Sequence, residues 1–92
     1  MIAITLNEAN YEREMREIKN SALPVLVGFG GENIDSVSVR MRGAYKCYRA
    51  DSDLAKRYQV RKLPTLLLFK DGKVTDTIVG SLKEEQLLKI LG

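Results

Sequence analysis

A chain of 92 residues with 45% hydrophobic and 29% charged side chains has the make-up of one small globular domain, residues 1–92, which excludes a disordered or fibrous protein. Histidine is absent and there is one cysteine, Cys47, which excludes a histidine zinc site, a Ser-His-Asp triad, a Cys-His dyad and an intrachain disulfide; no metal and no cofactor are expected. The net charge is only +3, but residues 40–62 carry eight basic groups against two acidic ones, an imbalance suited to an acidic partner or to nucleic acid.

In chain order, Ile2–Leu6 is a short run with β-branched residues and predicts a first strand. Asn7 is placed to cap a helix over Glu8–Lys19, in which Tyr11, Met15 and Ile18 recur at helical spacing and predict one buried stripe. Asn20-Ser21 ends it, and Pro24 leads into Val25–Phe29, a continuous apolar run of the kind found in strands covered on both faces. Gly30-Gly31 breaks that run. The stretch from Ile34 to Gly43 fits two periods: Val37, Val39 and Met41 alternate as in a strand, while Ile34, Val37 and Met41 fit a short helix. Tyr45–Ala50 predicts a strand, Ser52–Gln59 a short helix, and Thr65–Phe69 another buried strand. Asp71-Gly72 between Lys70 and Lys73 is a hairpin signal, with Val74–Val79 pairing back. Gly80-Ser81 then precedes a terminal helix over Leu82–Leu91, whose Leu82, Leu87, Leu88 and Leu91 fall near one face. Strands alternating with helices predict an α/β domain with a mixed, mostly parallel sheet and helices on both faces.

No apolar run approaches the roughly 20 residues that a membrane span requires, so no membrane association is expected. Met1–Leu6 has no basic leader and runs straight into Asn7 and Glu8, so it does not read as a signal peptide. With a single cysteine, that favours the reducing cytoplasm as the expected location.

The segment from Lys56 to Lys73, Lys-Arg-Tyr-Gln-Val-Arg-Lys-Leu-Pro-Thr-Leu-Leu-Leu-Phe-Lys-Asp-Gly-Lys, resembles the K-Y-G-I-R-x-I-P-T-L-L-L-F-K-x-G pattern of the thioredoxin family. Upstream, Pro24-Val25-Leu26-Val27-Gly28-Phe29 resembles the family's P-V-L-V-D-F strand, and Val79-Gly80 with a leucine-rich last helix resembles its ending. The resemblance implies a thioredoxin-like fold, a cis peptide bond before Pro64, and a loop whose backbone edge pairs with an extended substrate segment. That loop together with its basic flank gives Arg61, Lys62, Leu63, Pro64 and Thr65 as the expected binding residues.

The family's Cys-x-x-Cys motif is missing. Reading on from Phe29 without gaps, Asn33 stands at the tryptophan position, and Ile34, Asp35, Ser36 and Val37 span the positions from first to second cysteine. Gly28 stands where the family has a buried aspartate. Dithiol exchange needs a low-pKa thiolate and a resolving thiol, and neither Ile34 nor Val37 supplies one. From Val37 to Pro64 the chain is also markedly shorter than the family, so the active-site helix is expected to be trimmed or rebuilt, with another element, a partner or a second copy covering the sheet.

Three functions follow as alternatives. The first is a redox-inactive module holding a protein or peptide, acidic or extended, through the Pro64 loop and its basic flank. The second is a monothiol redox protein using Cys47, against the plainer reading of Cys47 as a small buried hydrophobe. The third is nucleic-acid binding through Arg40–Lys62; it ranks last, because Tyr45 and Tyr48 are interleaved with the charges but form no stacking motif.

Overall fold

The computed structural model describes residues 3–30, 33–41, 43–80 and 83–91. Ile2, Gly31, Arg42, Ser81 and Leu82, to which the sequence assigns places in elements or breaks, lie outside the described residues. The elements run β1 (Ile4–Leu6), α1 (Tyr11–Lys19), β2 (Val25–Phe29), α2 (Asn33–Arg40), β3 (Lys46–Ala50), a 3-10 helix (Ser52–Tyr58), β4 (Thr65–Lys70), β5 (Lys73–Val79) and α3 (Glu84–Leu91).

The five strands form one sheet in the order β1-β3-β2-β4-β5. β3 runs parallel to both β1 and β2, while β2–β4 and β4–β5 are antiparallel. The parallel share is therefore half of the ladders rather than most of them. The connection from β3 to β4 brings β4 in against β2 from the opposite direction, and the Asp71-Gly72 hairpin adds a second antiparallel pair. Asp71 and Gly72 both have positive φ, 55° and 78°, as a tight two-residue hairpin requires.

Side-chain alternation along the strands builds two cores. Val25, Val27 and Phe29 of β2, Tyr48 and Ala50 of β3, and Leu67 and Phe69 of β4 face α1 and the 3-10 helix, where they meet Ile18 and Leu54. Leu26, Cys47, Leu66 and Leu68 point to the other face and meet Ile34 and Val37 of α2 and Leu87 of α3. All five residues of β2 are buried, which is why that strand reads as an unbroken apolar run. Tyr11 and Met15 pack beside Ile18, as their spacing predicts.

Most element boundaries shift by one or two residues from the sequence expectation, and two regions differ more. α1 begins at Tyr11 rather than Glu8, because Asn7 and Asn10 each accept the other's backbone N–H on a side-chain oxygen (2.8 and 3.0 Å) and close a turn before the helix. The ambiguous stretch is helical: Ile34 and Val37, one turn apart, face the sheet, and Val39, which strand alternation would have buried, is 50% exposed. At eight residues α2 is short, and α3 lies against it to cover the same face, with Arg40 Nε 2.6 Å from Glu84 Oε1. Tyr45, just ahead of β3, donates its hydroxyl to the Leu91 carbonyl at 2.7 Å and ties the end of α3 down. Among the described residues no helix is long and apolar enough to cross a membrane.

Candidate functional site

The parallel strands β2 and β3 end together, with Phe29 opposite Ala50, and the chain leaves β2 there to begin α2. Gly28, one residue before that end, lies between Arg49 of β3 and Leu66 of β4 on the α2 face. A Cβ on Gly28 would sit 3.2 Å from Ile34 Cβ and 3.3 Å from its Cγ1, closer than side chains normally pack. Ile34 thus rests directly on the bare backbone of Gly28.

Ile34 is 5% exposed and Val37 fully buried, so the two positions that the motif would give to thiols are filled by core side chains. Asp35, between them, forms an ion pair with Arg49 and accepts the Ala3 N–H at 3.4 Å. Ser36 faces solvent. The Asn33 side chain lies outside the described residues. The Asp35–Arg49 pair is a link the sequence gives no signal for, because its members are 14 positions apart on different elements.

Cys47 lies in the same core, beneath α2, and is 5% exposed. Burial pushes its thiol up to about 11 from an ordinary value of 9.0, and a weaker hydrogen bond with Ser38 acts the other way. The environment is that of a small buried hydrophobe rather than of a nucleophile, which needs exposure and a depressed pKa.

Arg61, Lys62, Leu63, Pro64 and Thr65 do come to the same end of the sheet. The Leu63–Pro64 peptide bond is cis. The Thr65 hydroxyl donates to the Lys62 carbonyl at 2.6 Å, and the Pro64 carbonyl accepts from Gly80 N–H at 2.9 Å, closing the turn against the end of β5. Leu63 is 59% exposed, and among the described residues neither its N–H nor its carbonyl has a hydrogen-bond partner. Gly30, with φ of 70°, approaches so closely that a Cβ there would lie 3.1 Å from Leu63 Cβ. The Leu63–Pro64 turn therefore touches the segment leading into α2, and a cleft of about 230 Å³ opens between Phe29–Gly30, Arg49–Ser52 and Leu63. Gly30 and Gly80, absent from the sequence-derived set, are the residues that hold this turn in place.

The basic block does not act as a unit. Arg40 pairs with Glu84 and Arg49 with Asp35. Arg57 grips Glu8 with two bonds, 3.2 and 3.0 Å, and stacks over the Tyr11 ring; these hydrogen bonds, and to a lesser degree the guanidinium charge, hold the Glu8 carboxyl below the usual range. Lys46 sits over the Tyr48 ring at 5.5 Å. Much of the charge that looks available in sequence is engaged within the fold. Among the described residues no group of histidine, cysteine, aspartate and glutamate side chains is arranged to hold a metal ion.

Thioredoxin 1 of Synechococcus elongatus is 28% identical over 104 aligned positions that take in 98% of this chain and 94% of the relative. Since the chain has 92 residues, at least a dozen of those positions have no counterpart in it. The thioredoxin of Rickettsia felis is 30% identical over 95% of this chain and 93% of its own, and that of Rickettsia conorii 32% identical over 79% and 83%. A family model described as Thioredoxin-like domain matches residues 11–92. On its sheet, its Pro64 turn and these matches, the chain belongs to the thioredoxin-like family.

Proposed function

We propose that this domain is a binding module without dithiol chemistry, which takes up an extended protein segment along the Leu63 backbone. One observation carries the reading: Ile34 and Val37 are packed into the core where a redox member of the family would need thiols, while Leu63, at the exposed turn against Gly30, has an N–H and a carbonyl with no hydrogen-bond partner among the described residues. An extended segment laid across the turn would complete those two bonds, as a strand added to a sheet edge does. Its side chains would enter the cleft between Gly30, Arg49 and Leu63. The relatives are named thioredoxins, and the proposed module keeps the Pro64 turn that resembles the family's pattern while lacking its Cys-x-x-Cys motif.

The test has two arms. Reduction of a disulfide substrate by dithiothreitol should run at the uncatalysed rate with either the wild type or Cys47→Ser; catalysis that disappears in Cys47→Ser would establish the monothiol alternative and end this reading. In the second arm, titration with an extended peptide should shift the Leu63 amide resonance, and a resonance that stays fixed at saturating peptide would remove the turn as the binding edge. Two backbone bonds contribute only about 1–3 kcal/mol, so useful affinity must come from side-chain contacts next to the turn.

A further inference from the structure

On the other flank of the Leu63–Pro64 turn lies a second depression, of about 270 Å³. One wall is the segment Tyr58–Lys62, the other is Thr77 and Val79 of β5, and Leu67 of β4 lies between them. Thr65 pairs with Val79 and Leu67 with Thr77, so the floor belongs to the same sheet face that α1 and the 3-10 helix cover further along. The cover stops short of β5. Val79 is left 55% exposed and Val60 half-buried, which gives the depression an aliphatic lining open to solvent.

Its rim is positive. Of the seven described basic residues in the 40–62 block, Arg40, Lys46, Arg49 and Arg57 have partners within the fold. Lys56, Arg61 and Lys62 have none among the described residues. Arg61 and Lys62 both line the depression, and among the described residues no acidic side chain does. Two of the block's three uncompensated charges thus stand beside an apolar hollow next to the binding turn.

We propose that this depression anchors an acidic segment of a partner protein, one aliphatic side chain seated on Val60, Leu67 and Val79 and carboxylates beside it paired with Arg61 and Lys62. The inference deepens the reading above, because the same segment runs on to the Leu63 backbone. An aliphatic side chain suits the lining better than a nucleotide base. The one ring present, Tyr58, is engaged edge-on with Phe69 at 5.8 Å and shares a 2.7 Å hydroxyl contact with Tyr11, so it offers no free stacking platform.

The experiment is an NMR titration of the whole chain with a short synthetic peptide bearing one leucine flanked by glutamates. Resonances of Val60, Thr77 and Val79 should shift together with that of Leu63. The double variant Arg61→Glu/Lys62→Glu should weaken the peptide at least about fivefold, as should leucine-to-glycine replacement in the peptide, and added salt should weaken it further. Val79→Asp, at an exposed position, should reduce affinity while leaving the circular dichroism spectrum unchanged. Shifts confined to Leu63, with no effect of the charge reversal, would overturn the anchor and leave strand pairing standing. A flat titration at every residue would overturn both. Displacement of the peptide by a single-stranded oligonucleotide at comparable concentration would reassign the depression to nucleic acid and overturn the proposal.

Discussion

The reactivity of Cys47 offers the sharpest check on how this domain is built. The thiolate is the reactive species, and a pKa of about 11 in place of 9.0 lowers its population at neutral pH about a hundredfold. With Cys47 5% exposed beneath α2, reagent must also wait for the helix to lift, and that opening equilibrium multiplies the suppression. Alkylation by iodoacetamide at pH 7, followed by mass spectrometry, should therefore be at least about a hundredfold slower for the native protein than for the same protein in urea. In the native state the rate should climb steeply with pH. A native rate within about tenfold of the unfolded one would refute the reasoning, since it would require an exposed or stabilised thiolate that this packing does not provide.

Stability should fall in alkali. The folded state holds the Cys47 proton more tightly than the unfolded chain, so the stabilisation is complete below pH 9 and is lost as pH rises from there to about 11, a change of about 3 kcal/mol. Burial raises the Tyr48 and Tyr58 hydroxyls as well, which adds in the same direction, and urea midpoints at pH 8 and above pH 10 would reveal the slope and its reduction in Cys47→Ala. Gly28→Ala should cost about 1 kcal/mol, because pressing a methyl group against Ile34 at 3.2 Å outweighs the gain from replacing glycine in a strand. Adding Ile34→Ala removes the 3.3 Å contact with Cγ1 but leaves Cβ at 3.2 Å, so the pair should show partial favourable coupling in a double-mutant cycle, and simple additivity would count against the contact. Asp76→Val should promote self-association visible by sedimentation. β5 is an edge strand whose bulge and central aspartate disfavour antiparallel pairing of two copies through residue 76.

Sheet and core were largely legible in the sequence. Val25–Phe29 and Thr65–Phe69 are buried on both faces and show it as unbroken apolar runs, and Asp71-Gly72 marks its turn through the backbone angles it demands. The stretch after Gly30 was not, because Val37 satisfies both periods and only the packing of Ile34 on Gly28 and the exposure of Val39 decide for a helix. Asn7 looked like a cap, and its bond to Asn10 instead delayed the helix. The candidate site was half legible. Its turn lies within one contiguous motif, whereas the depression beside it depends on Val60 facing Thr77 and Val79 across a hollow, and the free charges are known only once Arg40, Arg49 and Arg57 are seen paired with carboxylates and Lys46 over the Tyr48 ring.

The contact of Ile34 with Gly28 also governs which sequences lie within reach of this one. A carboxylate introduced at position 28 would meet the Ile34 side chain, and a cysteine introduced at position 34 would leave a void over the bare glycine. Each single step toward a two-thiol site is thus a step down in stability, on a domain small enough for one or two kcal/mol to matter. A second thiol at position 37 would be sealed in the core, with no exposure from which to attack. A two-thiol site at these positions requires several changes made together, so the packing under α2 works as a ratchet that holds the chain away from such a site more firmly than the identity of two residues would.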